Sequence, residues 1–492
     1  MSTYSRLREL QRRVRESDRV CRFELSAVTP ILIGGYDTRT SHRVGREGLR
    51  PSSVKGVWRW WARIFVSAAV CRRFQYTRFV NLEDADKIVS NILGTTRDRA
   101  SSSKYQIIAT DLQVNEVDLV RYEDVARVKL LRLGREEIIR DRVLGPNSTF
   151  SVELYRLRKT EEAEDAFAAS SLLVALALGG VGKATSRGFG KLAVTRVECN
   201  LSPVKELYSN LEKLSKSEIF REGSFQVKAK EIVKKIFELC VNLASPLVAN
   251  VSVSGQYTHP LIETPVDNYY EVYIPNKLFG SDMEVLEAIG NATLKLSWKR
   301  LRGIDIRSSG RNLDTWILGL PRSQSPQFEP PRGRISQANL EEVLRDRLKE
   351  LLNRIRCGNT DAILSMIRKI EEDRRGRSGR GGRGEKYKVP TGYFNCRGNY
   401  NALVRRKSPV IFVPIKINDG GLKGKYYVAV VGFITDDWSR ISLIHLGFNW
   451  NYPSYFHVIS KSTQLNNVRN AFNEALNNIV RIIETGQLGG RR

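Results

Sequence analysis

The glycine-rich segment at residues 179–190, GGVGKATSRGFG, restricts the possible folds of this chain more than any other stretch. It follows a strongly apolar helical pattern and precedes a strand-like pattern, whereas a Walker phosphate loop runs from a strand into a helix. Ala184 follows Lys183 where a Walker loop needs serine or threonine, and no G-x-G-x-x-G is present. The segment therefore gives little support to nucleotide binding.

Two interpretations of this segment remain. One is a tight helix-to-strand connection that needs glycine for positive φ angles. The other is a loop whose backbone amides and cations close around a phosphodiester backbone. Because a turn alone would not need five glycines, we predict the second. The predicted contacts are Gly180, Gly182, Lys183, Arg187 and Gly188.

The first 200 residues have the pattern of one α+β domain. A strand-like run at 20–33 is followed by a helix that starts at Pro51, where proline fits the first turn. Hairpin patterns occupy 104–119 and 126–157, and the apolar helix and a strand at 191–198 complete the domain. The order β-α-β-β-α-β is that of the ferredoxin-like, RRM-type fold.

The second half, residues 201–492, predicts a further domain of the same general class with helical insertions. Residues 203–243, 338–373 and 462–485 have helical patterns. Strand-like pieces lie at 291–300, 314–319, 408–417 and 425–435. Two linkers, at 323–334 and 374–386, are rich in proline or in glycine and arginine.

The charge balance points to an anionic partner. The chain has 80 Lys and Arg against 53 Asp and Glu, a net charge of +27, and nucleic acid is the commonest partner of such a chain. No stretch approaches the ~18 apolar residues of a membrane span. The amino terminus is charged throughout, unlike a secretory signal, so we predict a cytoplasmic protein.

The cysteines and histidines indicate neither a zinc site nor a disulfide framework. Six cysteines are spread along the chain without a Cys-x-x-Cys, and the four histidines are far apart in sequence. We therefore predict reduced thiols, as is usual in a cytoplasm, with no metal and no cofactor.

The helix after Pro51 carries a basic stripe. Lys55, Arg59 and Arg63 follow one another at four-residue spacing and so lie on one helical face, from which three cations can follow a phosphate backbone. The alternative is a solvated basic face without a ligand. We interpret Trp58, Trp60 and Trp61 as core residues rather than stacking platforms.

The loop at 36–50 precedes this helix and is also basic. Its predicted RNA contacts are Arg39, Arg43, Arg46 and Arg50. His42 or Asp37 could act there as a general acid or base on RNA. The alternative, a contacting loop without chemistry, is favoured because no second catalytic group is placed beside either residue.

Residues 374–388 form an arginine- and glycine-rich arm, a composition that is used on single-stranded RNA. We predict RNA contacts for Arg377, Arg380 and Arg383. A solvated loop with no ligand is the alternative for any one of these residues.

Four segments together resemble the RAMP superfamily of CRISPR proteins, and within it the first-subunit family of type III-B (Cmr) effector complexes. They are Thr29-Pro30, Gly34-Gly35, LRPSSVKGVWRWWAR at 49–63 and GGVGKATSRGFGKL at 179–192. The resemblance implies two ferredoxin-like domains in tandem and assembly with other Cmr subunits. It also implies a position near the 3′ end of the guide RNA and the target RNA that is paired with it.

These observations predict a non-catalytic RNA-binding subunit of an RNA-guided antiviral ribonucleoprotein. Its partners would be guide RNA, target RNA and other Cmr subunits. RNA contacts would go to the backbone, while base pairing between guide and target reads the sequence. Two alternatives stay open: a metal-independent ribonuclease that uses His42 or Asp37, and a structural adaptor with little RNA contact.

Overall fold

The computed structural model describes part of the chain: residues 18–33, 48–73, 82–95, 100–126, 128, 142–221, 223–249, 265–293, 327–328, 337–370, 386–389, 392–396, 410–435, 443–448, 456–461 and 465–486. The described elements up to residue 200 are β1 (Arg19–Ala27), α1 (Pro51–Arg73), α2 (Leu82–Leu93), β2 (Tyr105–Gln113), β3 (Glu116–Asp118), β4 (Arg142–Leu144), β5 (Thr149–Arg156), α3 (Glu162–Val174) and β6 (Leu192–Cys199). The predicted mixture of helices and antiparallel strands is confirmed.

The first sheet has four strands in the order β2-β5-β1-β6, and every neighbouring pair is antiparallel. Alternate residues of β1, among them Phe23 and Leu25, are buried on one face. They join a hydrophobic cluster with Trp58 and Phe65 of α1 and with Phe167 of α3. The two predicted helices therefore cover one face of this sheet, as the period-two pattern of the strands requires.

A buried carboxylate fastens the start of α3 to the sheet. Asp165 accepts hydrogen bonds from the Tyr105 hydroxyl (2.7 Å), the Thr160 hydroxyl (2.8 Å) and Nε of Arg156 (2.7 Å). Burial, together with the hydrogen bond to Asp165, raises the pKa of Tyr105. This group of contacts connects β2, β5 and α3 at one point.

We expect Asp165→Ala to lower the free energy of unfolding by about 3 kcal/mol, because it leaves a buried tyrosine hydroxyl and an arginine without their acceptor. Glu162→Ala is the matched control: it removes an exposed carboxylate from the same helical turn and should change stability by less than about 0.5 kcal/mol. Urea unfolding measures both. Equal effects of the two substitutions would contradict a special role for Asp165.

The prediction of reduced thiols is wrong for four of the six cysteines. Cys21 on β1 and Cys199 on β6 face each other directly in the strand register and form a disulfide. A second disulfide joins Cys357 to Cys396, and Cys240 is free and buried. Sequence spacing could not reveal the first pair, because its members are 178 positions apart and only the pairing of β1 with β6 brings them together.

Beyond residue 200 the described elements are α4 (Ser202–Leu214), α5 (Phe225–Ala244), β7 (Pro265–Tyr273), α6 (Asp282–Thr293), β8 (Gln327–Phe328), α7 (Gln337–Arg354), α8 (Thr360–Leu364), β9 (Arg368–Ile370), β10 (Lys386–Lys388), β11 (Gly392–Asn395), β12 (Val410–Lys416), β13 (Tyr426–Thr435), β14 (Leu443–Phe448), β15 (Phe456–Lys461) and α9 (Leu465–Thr485). The helical prediction for 203–243 is confirmed as two helices, and the strands at 408–417 and 425–435 are confirmed. Residues 291–293 end α6 rather than begin a strand, and 314–319 lie outside the described residues.

The helical prediction for 338–373 is confirmed for α7, which ends at Arg354, and for α8, but it is wrong at 368–370, which form the strand β9. Arg356 adopts a φ of 52°, and the Cys357 N–H donates to the Leu352 carbonyl (3.0 Å). These two features form a Schellman motif, which normally uses glycine at the left-handed position. A non-glycine residue in that position left no sequence signal for the end of the helix.

The second sheet has the order β12-β13-β7 and is buried on both faces. Ile411, Val413 and Ile415 join the hydrophobic cluster of the first sheet. On the other face, Phe412 and Val430 pack in a cluster with residues of α6 and α9. Burial on both faces explains why β12 reads as a continuous apolar run instead of an alternating one. The first cluster also crosses residue 200, and the domain boundary there stays a prediction.

Candidate nucleic-acid interface

The orientation of α1 is set by its tryptophans. The helix begins at Pro51, and the Arg50 carbonyl accepts the N–H groups of Ser53 (3.0 Å) and Val54 (3.2 Å). Trp58 and Trp61 are buried, and the Trp58 indole N–H donates to the Ser171 hydroxyl of α3 (2.8 Å). The interpretation of these two tryptophans as core residues is confirmed.

Two cations of the predicted stripe hold α1 against α2. Arg63 donates from Nε to Asp86 (2.8 Å), and its terminal nitrogen lies 2.6 Å from the same carboxylate oxygen. Arg59 donates to the Ser90 hydroxyl (3.3 Å) and to the Leu93 carbonyl (3.2 Å) at the end of α2. A phosphate at either guanidinium would compete with these contacts.

The sequence analysis missed α2, although a signal for it was present. Ala85, Ile88, Val89 and Ile92 are all buried, and their spacing is that of one helical face. The helix supplies Asp86, which is the ionic partner of the stripe. This pattern predicts a second helix that packs beside α1 and its basic stripe.

Lys55, the first cation of the stripe, is in a different situation. It is half-buried, and among the described residues no carboxylate oxygen lies within 4 Å of its Nζ. Burial, and then the positive charge of Arg59, lowers the pKa of Lys55. A negative charge beside Lys55 would favour the charged form of its ammonium group and so oppose both effects.

The glycine-rich loop closes onto the segment that follows β1. Backbone N–H groups of Lys183 and Gly190 donate to the carbonyls of Leu32 and Pro30, both at 2.8 Å. The Val181 N–H donates to the Gly190 carbonyl (2.8 Å), so the loop also bonds to itself. A Cβ at residue 182, where φ is +93°, would lie 2.7 Å from the Leu32 carbonyl oxygen.

The fold therefore requires glycine at several of these positions. Our premise that a turn alone would not need five glycines is wrong. The loop backbone packs closely against residues 30–32 and against itself, which leaves no room for a Cβ at several of these positions. Gly180 and Gly188 are buried and Gly182 is half-buried. Their assignment as RNA contacts stays a prediction.

A buried lysine under the loop was also missed by the sequence analysis. Lys191 donates from Nζ to the carbonyls of Leu178 (2.8 Å) and Gly179 (2.7 Å), at the carboxyl end of the helical segment that continues α3. An ammonium group there satisfies carbonyls that have no partner inside a helix and complements the helix dipole. Lysine after a glycine-rich run has no sequence signature that would have revealed this role.

The outer side of the loop lies where the two sheets meet. Lys183 is exposed, and Arg187 is half-buried with its guanidinium carbon 5.9 Å from the centre of the Phe412 ring. Residues 187 and 412 form a parallel bridge, and a Cβ at Gly188 would lie 3.2 Å from Pro414. The loop thus connects the first sheet to β12. Of its two cations, Arg187 packs on β12 and Lys183 faces solvent.

The remaining predicted site residues are not brought together here. Arg50 is half-buried directly before α1. Arg39, Arg43 and Arg46, with the alternative catalytic residues His42 and Asp37, lie outside the described residues, as do Arg377, Arg380 and Arg383. In the described ranges, no three side chains of His, Cys, Asp or Glu converge in a way that could hold a metal ion. No helix in that part of the chain is long and apolar enough to cross a membrane.

Comparisons with known proteins agree with the features of the amino-terminal half. A sequence model of the RAMP superfamily matches residues 24–193. The CRISPR system CMR subunit Cmr1 of Saccharolobus solfataricus is 21% identical in an alignment that covers 38% of this chain and 56% of that relative. The alignment therefore spans little more than half the length of the relative.

The fold has a counterpart among solved structures. A chain in the cryo-EM structure of the type III-B Cmr-beta complex bound to cognate target RNA matches 94% of this chain and 100% of its own length. The TM-score is 0.52 and the sequence identity is 15%, so the likeness concerns the fold alone.

Proposed function

We propose, starting from the match of residues 24–193 to the RAMP superfamily model, that the chain is a RAMP protein and a non-catalytic RNA-binding subunit of a cytoplasmic type III-B Cmr effector complex. Its partners would be the guide RNA near its 3′ end, the target RNA and the other Cmr subunits. The similarity to Cmr1 and to a chain of a Cmr complex bound to target RNA supports this assignment.

The proposal includes the finer fold. The elements β1, α1, β2, β5, α3 and β6 would form a ferredoxin-like domain over residues 1–200, with α2 and the β3–β4 pair as additions, and the sheet order β2-β5-β1-β6 supports this. The second sheet, with α6 and α9 on one face, would be the centre of a second such domain within 201–492. The arginine- and glycine-rich segment 374–386 would be a loop of that domain.

The observation that carries the RNA-binding proposal is the unequal pairing of the cations. Arg59 and Arg63 are engaged by α2, whereas Lys55 and Lys183 have no carboxylate within 4 Å among the described residues. Positive charges that the protein leaves unneutralised are suited to phosphate. We therefore assign the principal contacts to Lys55 and Lys183, with Arg187 between the sheets.

The test is binding of a fluorescent single-stranded RNA over a range of salt concentrations without metal ions. If about eight cations contact phosphates, log K should fall against log salt with a slope near −6, from ~0.7 per contact. Lys55→Ala with Lys183→Ala should make this slope shallower by about 1.4 and weaken binding about tenfold. The charge-matched control Lys205→Ala with Lys349→Ala, two exposed lysines elsewhere, should retain the wild-type slope.

The outcomes separate the three candidate functions. Intact RNA with salt-sensitive binding supports the binding subunit, and a wild-type slope near −1 would contradict it. Cleaved RNA would favour the ribonuclease and make His42→Ala and Asp37→Ala the next variants. No binding by the wild type would leave the structural adaptor.

A further inference from the structure

The hairpin between β12 and β13, residues 417–425, is hydrogen-bonded to the segment after α4. The Asn418 N–H donates to the Ser215 carbonyl (2.8 Å), and the Asp419 carboxylate accepts the Ser217 N–H (2.5 Å). The hydrogen bond from Ser217 lowers the pKa of Asp419, so this carboxylate is ionised and already engaged. Asp419, the one acidic residue of the hairpin, is thus engaged by the Ser217 N–H.

The returning arm of the hairpin contains a type II turn that presents lysines. The Lys425 N–H donates to the Leu422 carbonyl (3.0 Å), with Lys423 at φ −51°, ψ 130° and Gly424 at φ +84°. Lys423 and Lys425 are exposed. A Cβ at Gly421 or at Gly424 would meet no atom within 4 Å, so the backbone here is open to a ligand.

A third lysine lies at the base of the hairpin. Lys416, the last residue of β12, donates from Nζ to the Asn147 side-chain oxygen (3.0 Å). Within the described ranges, no carboxylate oxygen lies within 4 Å of Nζ of Lys416, Lys423 or Lys425. We call these three residues the lysine hairpin.

The lysine hairpin begins at the end of β12, the strand that the glycine-rich loop contacts. Residues 412, 414 and 416 share one face of β12, because side chains alternate along a strand. Arg187 packs on the first of them and Gly188 lies beside the second. Lys416 is four residues beyond Phe412, about 13 Å along the strand, so one RNA segment can span Lys416 and the half-buried Arg187 that packs on Phe412.

We propose that the lysine hairpin binds the phosphodiester backbone of single-stranded RNA and extends the RNA path from the glycine-rich loop onto the second sheet. This inference deepens the proposed function and rests on it. Flexible ammonium groups bind phosphates as point charges and read no sequence, as a guide-binding surface requires. A protein partner is disfavoured: interface centres are apolar, and none of the exposed large hydrophobic residues of the described ranges lies in 416–425.

The test compares the full-length triple variant Lys416→Ala/Lys423→Ala/Lys425→Ala with a control that loses the same charge, Lys205→Ala/Lys228→Ala/Lys349→Ala. A fluorescent oligouridine is titrated with each at several salt concentrations. The hairpin variant should bind at least about tenfold more weakly and show a slope shallower by about 2, from ~0.7 per contact. Lys423→Ala/Lys425→Ala, which keeps the Lys416–Asn147 contact, should show about two thirds of that change in slope. Melting temperatures verify that all variants are folded.

The outcomes distinguish this inference from the proposed function. If Lys55→Ala/Lys183→Ala weakens binding while the hairpin variant equals its control, the lysine hairpin is not part of the RNA path and the function stands. If the wild type binds no RNA, both fail. If the hairpin variant keeps full RNA affinity but no longer co-purifies with the other subunits of a reconstituted complex, the hairpin is a protein contact and the inference is overturned.

Discussion

Gly190→Ala is expected to destabilise the protein by roughly 3–5 kcal/mol, enough to reduce the yield of folded chain. Gly190 has a φ of +65°, a region that alanine enters only at a cost, and a Cβ there would overlap the carbonyl oxygen of Val181. The backbone cannot move aside freely. The Gly190 N–H donates to Pro30 and its carbonyl accepts the Val181 N–H, both at 2.8 Å.

The matched control is the same chemical change at Gly56. This glycine lies exposed within α1, and a Cβ there would meet no atom within 4 Å. Gly56→Ala should therefore stabilise the protein by about 0.5–1 kcal/mol, since alanine is the better helix former. Thermal and urea unfolding measure both variants. A Gly190→Ala protein as stable as the wild type would mean that the loop is not threaded as described.

Loss of the Cys21–Cys199 disulfide should lower the free energy of unfolding by between about 2 and 5 kcal/mol. The bond joins residues 178 positions apart, so it limits the freedom of a large part of the unfolded chain. Cys21→Ser/Cys199→Ser in non-reducing buffer tests this expectation by urea unfolding. Mass spectrometry of the unreduced wild type should find the two cysteine-containing peptides linked.

The second disulfide provides an internal comparison. Cys357 and Cys396 are separated by 39 positions, so Cys357→Ser/Cys396→Ser should cost about 1 kcal/mol less. After complete reduction the wild type should unfold at about the same urea concentration as a variant that lacks both disulfides. Unlinked peptides in the unreduced wild type, or a variant at Cys21 and Cys199 with unchanged stability, would show that this disulfide does not form.

The elements that sequence reasoning predicted correctly have local signals. Pro51 marks the start of α1, Trp58 and Trp61 of that helix are core residues, and the runs at 410–416 and 426–435 are apolar enough to be predicted as buried strands. One failure has a local cause as well. The end of α7 was missed because Arg356 occupies a left-handed position that glycine usually marks.

The candidate site was predictable in its residue types and less so in its arrangement. The stripe on α1 and the cations of the glycine-rich loop were found from spacing alone. Which of these cations an acidic partner neutralises depends on α2, because Asp86 contacts Arg63 from another helix. The lysine hairpin escaped notice, since three lysines within ten residues are unremarkable in a chain with 80 basic residues.

Periodicity and glycine content therefore specified the class of fold and the main helices and strands, because these properties depend on residues a few positions apart, and the net charge predicted a polyanionic partner. Tertiary structure alone decided which cysteines meet, which glycines are indispensable and which cations stay unneutralised. Each of these depends on the path of the backbone between distant segments: Cys21 with Cys199, Gly190 with Val181 and Pro30, and Lys416 with Asn147.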